Sequence, residues 1–193
     1  HKSKIKRRGM RILSNCAAKG RGQWKYTGQK RPSFAKAPAE NQESVWDYPR
    51  PPVLDHDSRT VVVKFRDTVL ASTQKSIRVL ETASPPTFYL PPSDVKTNYF
   101  EKSPKTTRCE WKGTAVYWNI VVDGAAAELA AWSYPEPFEE FQELAGYFSF
   151  YPSRVDCYVD GDKVKPQPGG FYGGWITPEI VGPVKGESPE TYL

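Results

Sequence analysis

Histidine and cysteine are scarce in this chain. Its 193 residues include two histidines, His1 and His56, and three cysteines, Cys16, Cys109 and Cys157. An odd number of cysteines with no close pair excludes a disulfide framework. Without a C-x-x-C pair, and with so few histidines, a structural zinc site is not expected. Unpaired thiols point to a reducing compartment: bacterial cytoplasm, chloroplast or mitochondrion. A Ser-His-Asp triad would have to recruit His56, which stands in LDHDS among turn-forming residues and reads as solvated. No P-loop is present, and no pair of acids stands at metal-binding spacing, so no metal or cofactor is expected. No apolar run reaches the ~18 residues of a membrane-spanning helix.

Acid is missing from one end. Residues 1–39 hold twelve of the 27 Lys and Arg and none of the 22 Asp and Glu, so the remainder carries a net negative charge. Charge segregation of this kind speaks about partners rather than architecture. Residues 1–44 therefore read as a basic extended arm, unable to bury enough apolar surface to fold alone. Lys4, Lys6, Arg7, Arg8, Arg11, Lys19, Arg21, Lys25, Lys30 and Arg31 supply phosphate-neutralising charge. Trp24, Tyr26 and Phe34, set among them, suit stacking on unpaired bases. The arm's expected partner is RNA or an acidic protein. An acid-free basic start also resembles the remnant of an organelle transit peptide.

Residues 45–58 form a Pro-rich connector that is expected to be extended, with Trp46 and Tyr48 lying against the body. From residue 59 to 166 short strand patterns alternate with turn residues. TVVVKF and TVLAST flank an Arg66-Asp67 turn, SIRVLE and TFYLP follow, and VKTNYFEKS reads as a polar strand. TTRCEWKGTAVYWNIVVDG reads as one long strand bending at Gly113 and ending in the hairpin signal Asp123-Gly124. AAAELAAWSY returns, and Asp160-Gly161 marks a second hairpin. PEPFEEFQELAGYF predicts one short helix, with Pro137 in its first turn, acids at its start and Phe138, Phe141 and Leu144 on one side. The Gly- and Pro-rich tail, 167–193, is expected to pack on the domain through Phe171, Tyr172 and Trp175. The fold class is mainly β, with one short helix.

The order of motifs is specific. YLPPSDV (89–95), TRCEWKGTAVY (107–117), VVDG (121–124), AAWSYPEP (130–137), AGYFSFY (145–151) and RVD (154–156) stand in the order and register of domain-of-unknown-function family 427, which the chain resembles over residues 45–182. GGFYGGWITPEIVGP is similar to the longer form found in cyanobacteria and other bacteria. The basic arm is outside the pattern. The resemblance implies a compact, strongly bent antiparallel sheet of the β-tent kind. It does not carry over the zinc knuckles of that broad group, because their cysteine pairs are missing here. The nucleotidyltransferase-like label sometimes given to the family finds no support in the motifs of this chain.

On a continuous strand, Cys109, Trp111, Ala115 and Tyr117 share one face and Lys112 the other, unless a bulge at Gly113 redirects the chain. A lysine in an aromatic stretch either snorkels to solvent or lines a pocket. The candidates for a common pocket are Arg78, Glu81, Tyr89, Cys109, Lys112, Tyr117, Trp132 and Tyr134, a set suited to a small anionic or planar ligand. Three expectations follow: a non-catalytic scaffold anchored by the arm to RNA or another acidic assembly such as an organellar ribonucleoprotein, a small-molecule-binding protein or enzyme built on that pocket, or a protein–protein adaptor of a plastid or photosynthetic bacterium using the aromatic clusters.

Overall fold

The computed structural model describes residues 24–192. Its strands are β1 (Glu43–Ser44), β2 (Val53–Asp57), β3 (Val61–Phe65), β4 (Thr68–Thr73), β5 (Ser76–Leu80), β6 (Thr87–Tyr89), β7 (Phe100–Cys109), β8 (Gly113–Val122), β9 (Ala125–Ser133), β10 (Phe148–Phe150), β11 (Asp156–Val159), β12 (Asp162–Lys163), β13 (Lys165–Pro166), β14 (Trp175–Ile176) and β15 (Ile180–Val181). The domain is mainly β, as its composition implied. It is divided into two four-stranded sheets, ordered β10-β9-β8-β7 and β12-β11-β3-β4, a three-stranded sheet β2-β5-β6, and two short ribbons. A two-way hydrogen-bonded bridge from Leu90, just past β6, to Phe148 of β10 joins the three-stranded sheet edge-on to a four-stranded one.

The turns follow their local chemistry. Asp123 and Gly124 both take positive φ, 48° and 76°, as do Asp160 and Gly161, 46° and 83°. That is the two-residue hairpin turn whose twist matches its strands. The predicted helix is a 3-10 segment, Glu139–Leu144, interrupted at Phe141. Its ends are tied down: Phe138 N–H donates to Lys112 O at 3.1 Å and Gly146 N–H to Tyr134 O at 3.1 Å. The 3-10 spacing still brings Phe141 and Leu144 onto the core side.

Burial divides the interior in three. Val61, Val63, Leu70, Ile120, Ala131, Phe150, Cys157 and Trp175 belong to a main core shared by the two large sheets. Ile77, Val79, Tyr89, Ala115, Tyr117, Trp132 and Tyr134 form a second, aromatic cluster. Alternation along β6 and β8 explains the division. Phe88 and Leu90 enter the main core while Tyr89 enters the aromatic cluster, and Trp118 and Ile120 oppose Ala115 and Tyr117 in the same way.

The third cluster, Val45, Trp46, Tyr48, Leu80, Ala83 and Val184, joins the connector and the tail to the end of β5. Parallel pairing of β1 with β15 zips the last residues of the arm, just before the connector, to the tail. The connector is not simply extended: Val45–Asp47 is a 3-10 turn and β2 lies within 45–58. The alternation of β2 had been obscured by Asp55 and Asp57, which pair with Arg78 and Arg59; His56 between them is exposed, as its sequence setting implied, and meets Glu143 at the surface.

Those partners form an ionic seam. Arg78, almost fully buried, reaches Glu43 at 2.7 Å and Asp55 at 2.6 Å. Arg59 grips Asp57 at 2.7 Å and Glu179 of the tail. Burial alone would raise the carboxyls of Asp57 and Glu179, but hydrogen bonds from Arg59 outweigh it and hold both below their usual range. A carboxyl depressed on folding stabilises the native state above its unfolded value and loses that contribution as pH falls through its folded value. The gap in urea midpoint between wild type and Arg59→Met should therefore narrow as pH is lowered from about 6 to about 3. A constant gap would show that Arg59 acts by packing alone.

Candidate functional site

The stretch RCEWKGTAVYW is a hairpin rather than one strand. Cys109 pairs with Gly113 across a loop of Glu110, Trp111 and Lys112, and β7 then runs antiparallel to β8. Gly113, at φ 104°, occupies the left-handed position that closes such a loop. The turn overrules the two-face expectation: Cys109 and Lys112 come to the same side. Trp111 folds back from the tip, 4% exposed, with its Nε1–H donating to Glu81 Oε1 at 3.1 Å and its ring against Trp24 at 5.3 Å.

Beside this loop lies a cleft of about 490 Å³. Glu81, Tyr89, Cys109, Lys112, Tyr117, Trp132 and Tyr134 all line it. Arg78 does not. Ile77 and Val79 face the aromatic cluster, so by strand alternation Arg78 faces away, into the ionic seam. The pattern SIRVLE already separates Arg78 from Glu81.

The floor is a hydrogen-bonded aromatic layer. Trp132 Nε1–H donates to the Tyr89 hydroxyl at 3.2 Å, and Tyr117 OH pairs with Thr107 Oγ1 at 2.9 Å. The Trp132 ring lies tilted against Tyr151, centroids 4.5 Å apart, and the Tyr151 hydroxyl donates to Phe171 O at 3.3 Å. The Lys112 ammonium stands 5.6 Å from the centre of the Tyr134 ring. Burial would push its pKa down; Tyr89, Cys109 and the Glu81 carboxylate outweigh that and hold it above the ordinary lysine range. Burial pushes the phenols of Tyr89 and Tyr134 up, so they are neutral hydroxyls at neutral pH. A fixed cation among neutral hydroxyls and ring faces can hydrogen-bond an anion and stack a planar group.

Sequence reasoning missed the far wall, made by Tyr151, Gln167, Lys185 and the strap 168–174. Its signal was the paired glycines. Gly169 and Gly170 take positive φ, and a Cβ on Gly173 would overlap the Trp132 ring. Trp175 is the tail's anchor, fully buried, stacked 4.8 Å from Phe88 and donating from Nε1 to Phe150 O at 2.9 Å. Phe171 and Tyr172 are not anchors: they are 66% and 37% exposed at the cleft mouth. The glycines that let the strap approach Trp132 leave these two rings directed outward.

Of the arm candidates, Lys4, Lys6, Arg7, Arg8, Arg11, Lys19 and Arg21 lie outside the described residues. Trp24 packs on Trp111, and Tyr26 and Phe34 pack edge-on against Trp46 at 5.7 and 5.3 Å. Arg31 forms a two-bond pair with Asp47 at 2.7 and 2.8 Å, while Lys25 and Lys30 are exposed. The arm's aromatic side chains are thus engaged with the domain itself. Among the described residues no cluster of His, Cys, Asp and Glu is arranged to hold a metal, and no helix is long and apolar enough to cross a membrane.

Fold and site together define a mainly β domain built around an aromatic, lysine-bearing cleft. Residues 53–161 match the family described as Domain of unknown function (DUF427), and the chain belongs to that family. No curated protein matches it. The matched span holds the cleft floor and Lys112; the strap and Lys185 come after it.

Gly173→Ala should force the strap off Trp132, destabilising the domain by roughly 1–3 kcal/mol and changing tryptophan emission. Gly124→Ala has open space around it and tests only backbone strain. Equal behaviour of the two variants in urea unfolding and emission would show that the close approach to Trp132 is unimportant.

Proposed function

We propose that this protein binds a small planar ligand carrying an anionic group in the Lys112 cleft. The observation that carries the reading is convergence: seven residues, scattered from Glu81 to Tyr134 in sequence, line one cavity that holds the Lys112 ammonium, with Lys185 in the opposite wall. Cavity size supports it, because about 490 Å³ lies within the range of small-molecule sites. The ring faces of Trp132 and Tyr134 accept a flat group, and Lys112 with the neighbouring phenols accepts negative charge.

Trp111 and Trp132 report on the cleft from within it. Salicylate should quench tryptophan emission saturably, and phenol, which lacks the carboxylate, should do so more weakly. Lys112→Met should weaken salicylate binding by roughly tenfold, about 1.4 kcal/mol, while changing phenol little. Absence of saturable quenching by salicylate, and also by AMP as a larger planar anion, would reject the reading.

A second reading, anchoring of the chain to RNA or another polyanion, is supported by the charge division between residues 1–39 and the rest. Its stacking component is weakened by the engagement of Trp24, Tyr26 and Phe34 with the domain. The electrostatic component is tested by removing residues 1–23, which leaves those contacts intact. Binding to poly(U) should be steeply salt-dependent in the full chain and lost in the shortened one. Unchanged binding would reject this reading.

A further inference from the structure

Cys109 has a setting that the binding reading does not use. It is half-buried and lines the cleft. The three-residue loop brings Lys112 to the same side as Cys109, and the Lys112 and Tyr134 side chains line the cleft with it. Cys157 has the opposite setting: it is 1% exposed in the main core, and burial pushes its thiol well up. A thiolate is the reactive form of cysteine, and an adjacent lysine cation balances its charge.

We propose that Cys109 is a nucleophilic site that captures a planar α,β-unsaturated carbonyl compound bound in the Lys112 cleft. The inference rests on the binding reading for the ligand's ring and adds the reacting atom. In the step, a bond forms between Cys109 Sγ and the β-carbon of the alkene. The C=C π bond breaks, and its electron pair passes to the carbonyl oxygen as an enolate, which faces the Lys112 ammonium. The proton given up by the thiol returns to the α-carbon, leaving a thioether and a restored carbonyl. No oxidant, reductant or further reactant is consumed. Lys112 stabilises the oxyanion as a preorganised charge, and the Tyr134 hydroxyl is a second donor on the same side. The aromatic floor of Tyr89, Tyr117 and Trp132 holds the ring flat beneath the thiol.

N-Phenylmaleimide, a flat electrophile of this class, is the probe. The full chain is treated with it at about neutral pH and the modified cysteine located by mass spectrometry, in buffer and in urea. Cys109 should be labelled at least roughly tenfold faster in the folded protein than in the unfolded one, with Cys157 protected until unfolding. Lys112→Met should bring the folded rate down to the unfolded one. Labelling of Cys109 no faster folded than unfolded, or an unchanged rate in Lys112→Met, would overturn the proposal. If Lys112→Met loses its native near-ultraviolet circular dichroism, the folded-to-unfolded ratio of the wild type decides alone. Cys109→Ser separates the two readings: saturable salicylate quenching that persists in this variant, beside slow maleimide labelling of the wild type, rejects the nucleophile and keeps the binding site.

Discussion

The pairing of β8 with β9 serves two interiors at once, and the rest of the structure depends on it. One face of the pair gives Trp118, Ile120 and Ala131 to the main core; the other gives Ala115, Tyr117 and Trp132 to the aromatic cluster. Antiparallel sheets commonly leave one face to water. Here both faces are covered, so neither can shift register without exposing one apolar set and burying the wrong partner of the other. The bulge between Trp118 and Ile120 is held in place to keep this arrangement: Asn119 Oδ1 accepts the Leu129 N–H at 2.8 Å, and Arg154 donates to the Leu129 carbonyl at 2.6 Å. Leu129 itself takes a positive φ of 50°, a conformation an isolated strand would avoid.

The cleft is what remains where the second face is not completely closed. The hairpin loop at Glu110–Lys112 and the Gly-rich strap approach it from two sides, one supplying the cation and the other pressing against Trp132. A sheet floor of tyrosines with satisfied hydroxyls is rigid, because each phenol is tied to a neighbour. The loop is likewise tied, through Phe138 to the Lys112 carbonyl and through Trp111 to Glu81. Positioning of Lys112 is therefore a property of the packed domain rather than of the loop alone.

The ionic seam and the cleft divide the charges of one short region between structure and chemistry. Arg78 and Arg59 are held by four carboxylates contributed by residues before, within and after the family-matched span. Burying an arginine is tolerable only when its donors are met in this way. Lys112 is held differently, by phenols, a thiol and a single carboxylate that also receives Trp111.

Much of this was written in local sequence. The Asp-Gly turns, the strand runs around Val61 and Ile120, and the alternation that sets Tyr117 apart from Trp118 follow from backbone sterics and side-chain period, which act over a few residues. Glu81, Tyr89, Cys109, Lys112, Tyr117, Trp132 and Tyr134 could be named as candidates from residue type, but strand alternation set Lys112 opposite Cys109, and only the hairpin brought the two to one cleft. Other features were decided only in three dimensions. A continuous-looking pattern from Thr106 to Gly124 turned back at Gly113, since a glycine's positive φ can serve a bend or a loop closure equally and only the partner strand selects between them. The helix expected in PEPFEEFQELAGYF became a 3-10 segment flanked by bonds to the Lys112 and Tyr134 carbonyls. Arg78 went to the seam, the arm's Trp24, Tyr26 and Phe34 went to the domain, and Phe171 turned outward. In each case the side chain's destination was set by a partner far away in the chain, and local propensity carries no information about which distant surface will be its neighbour.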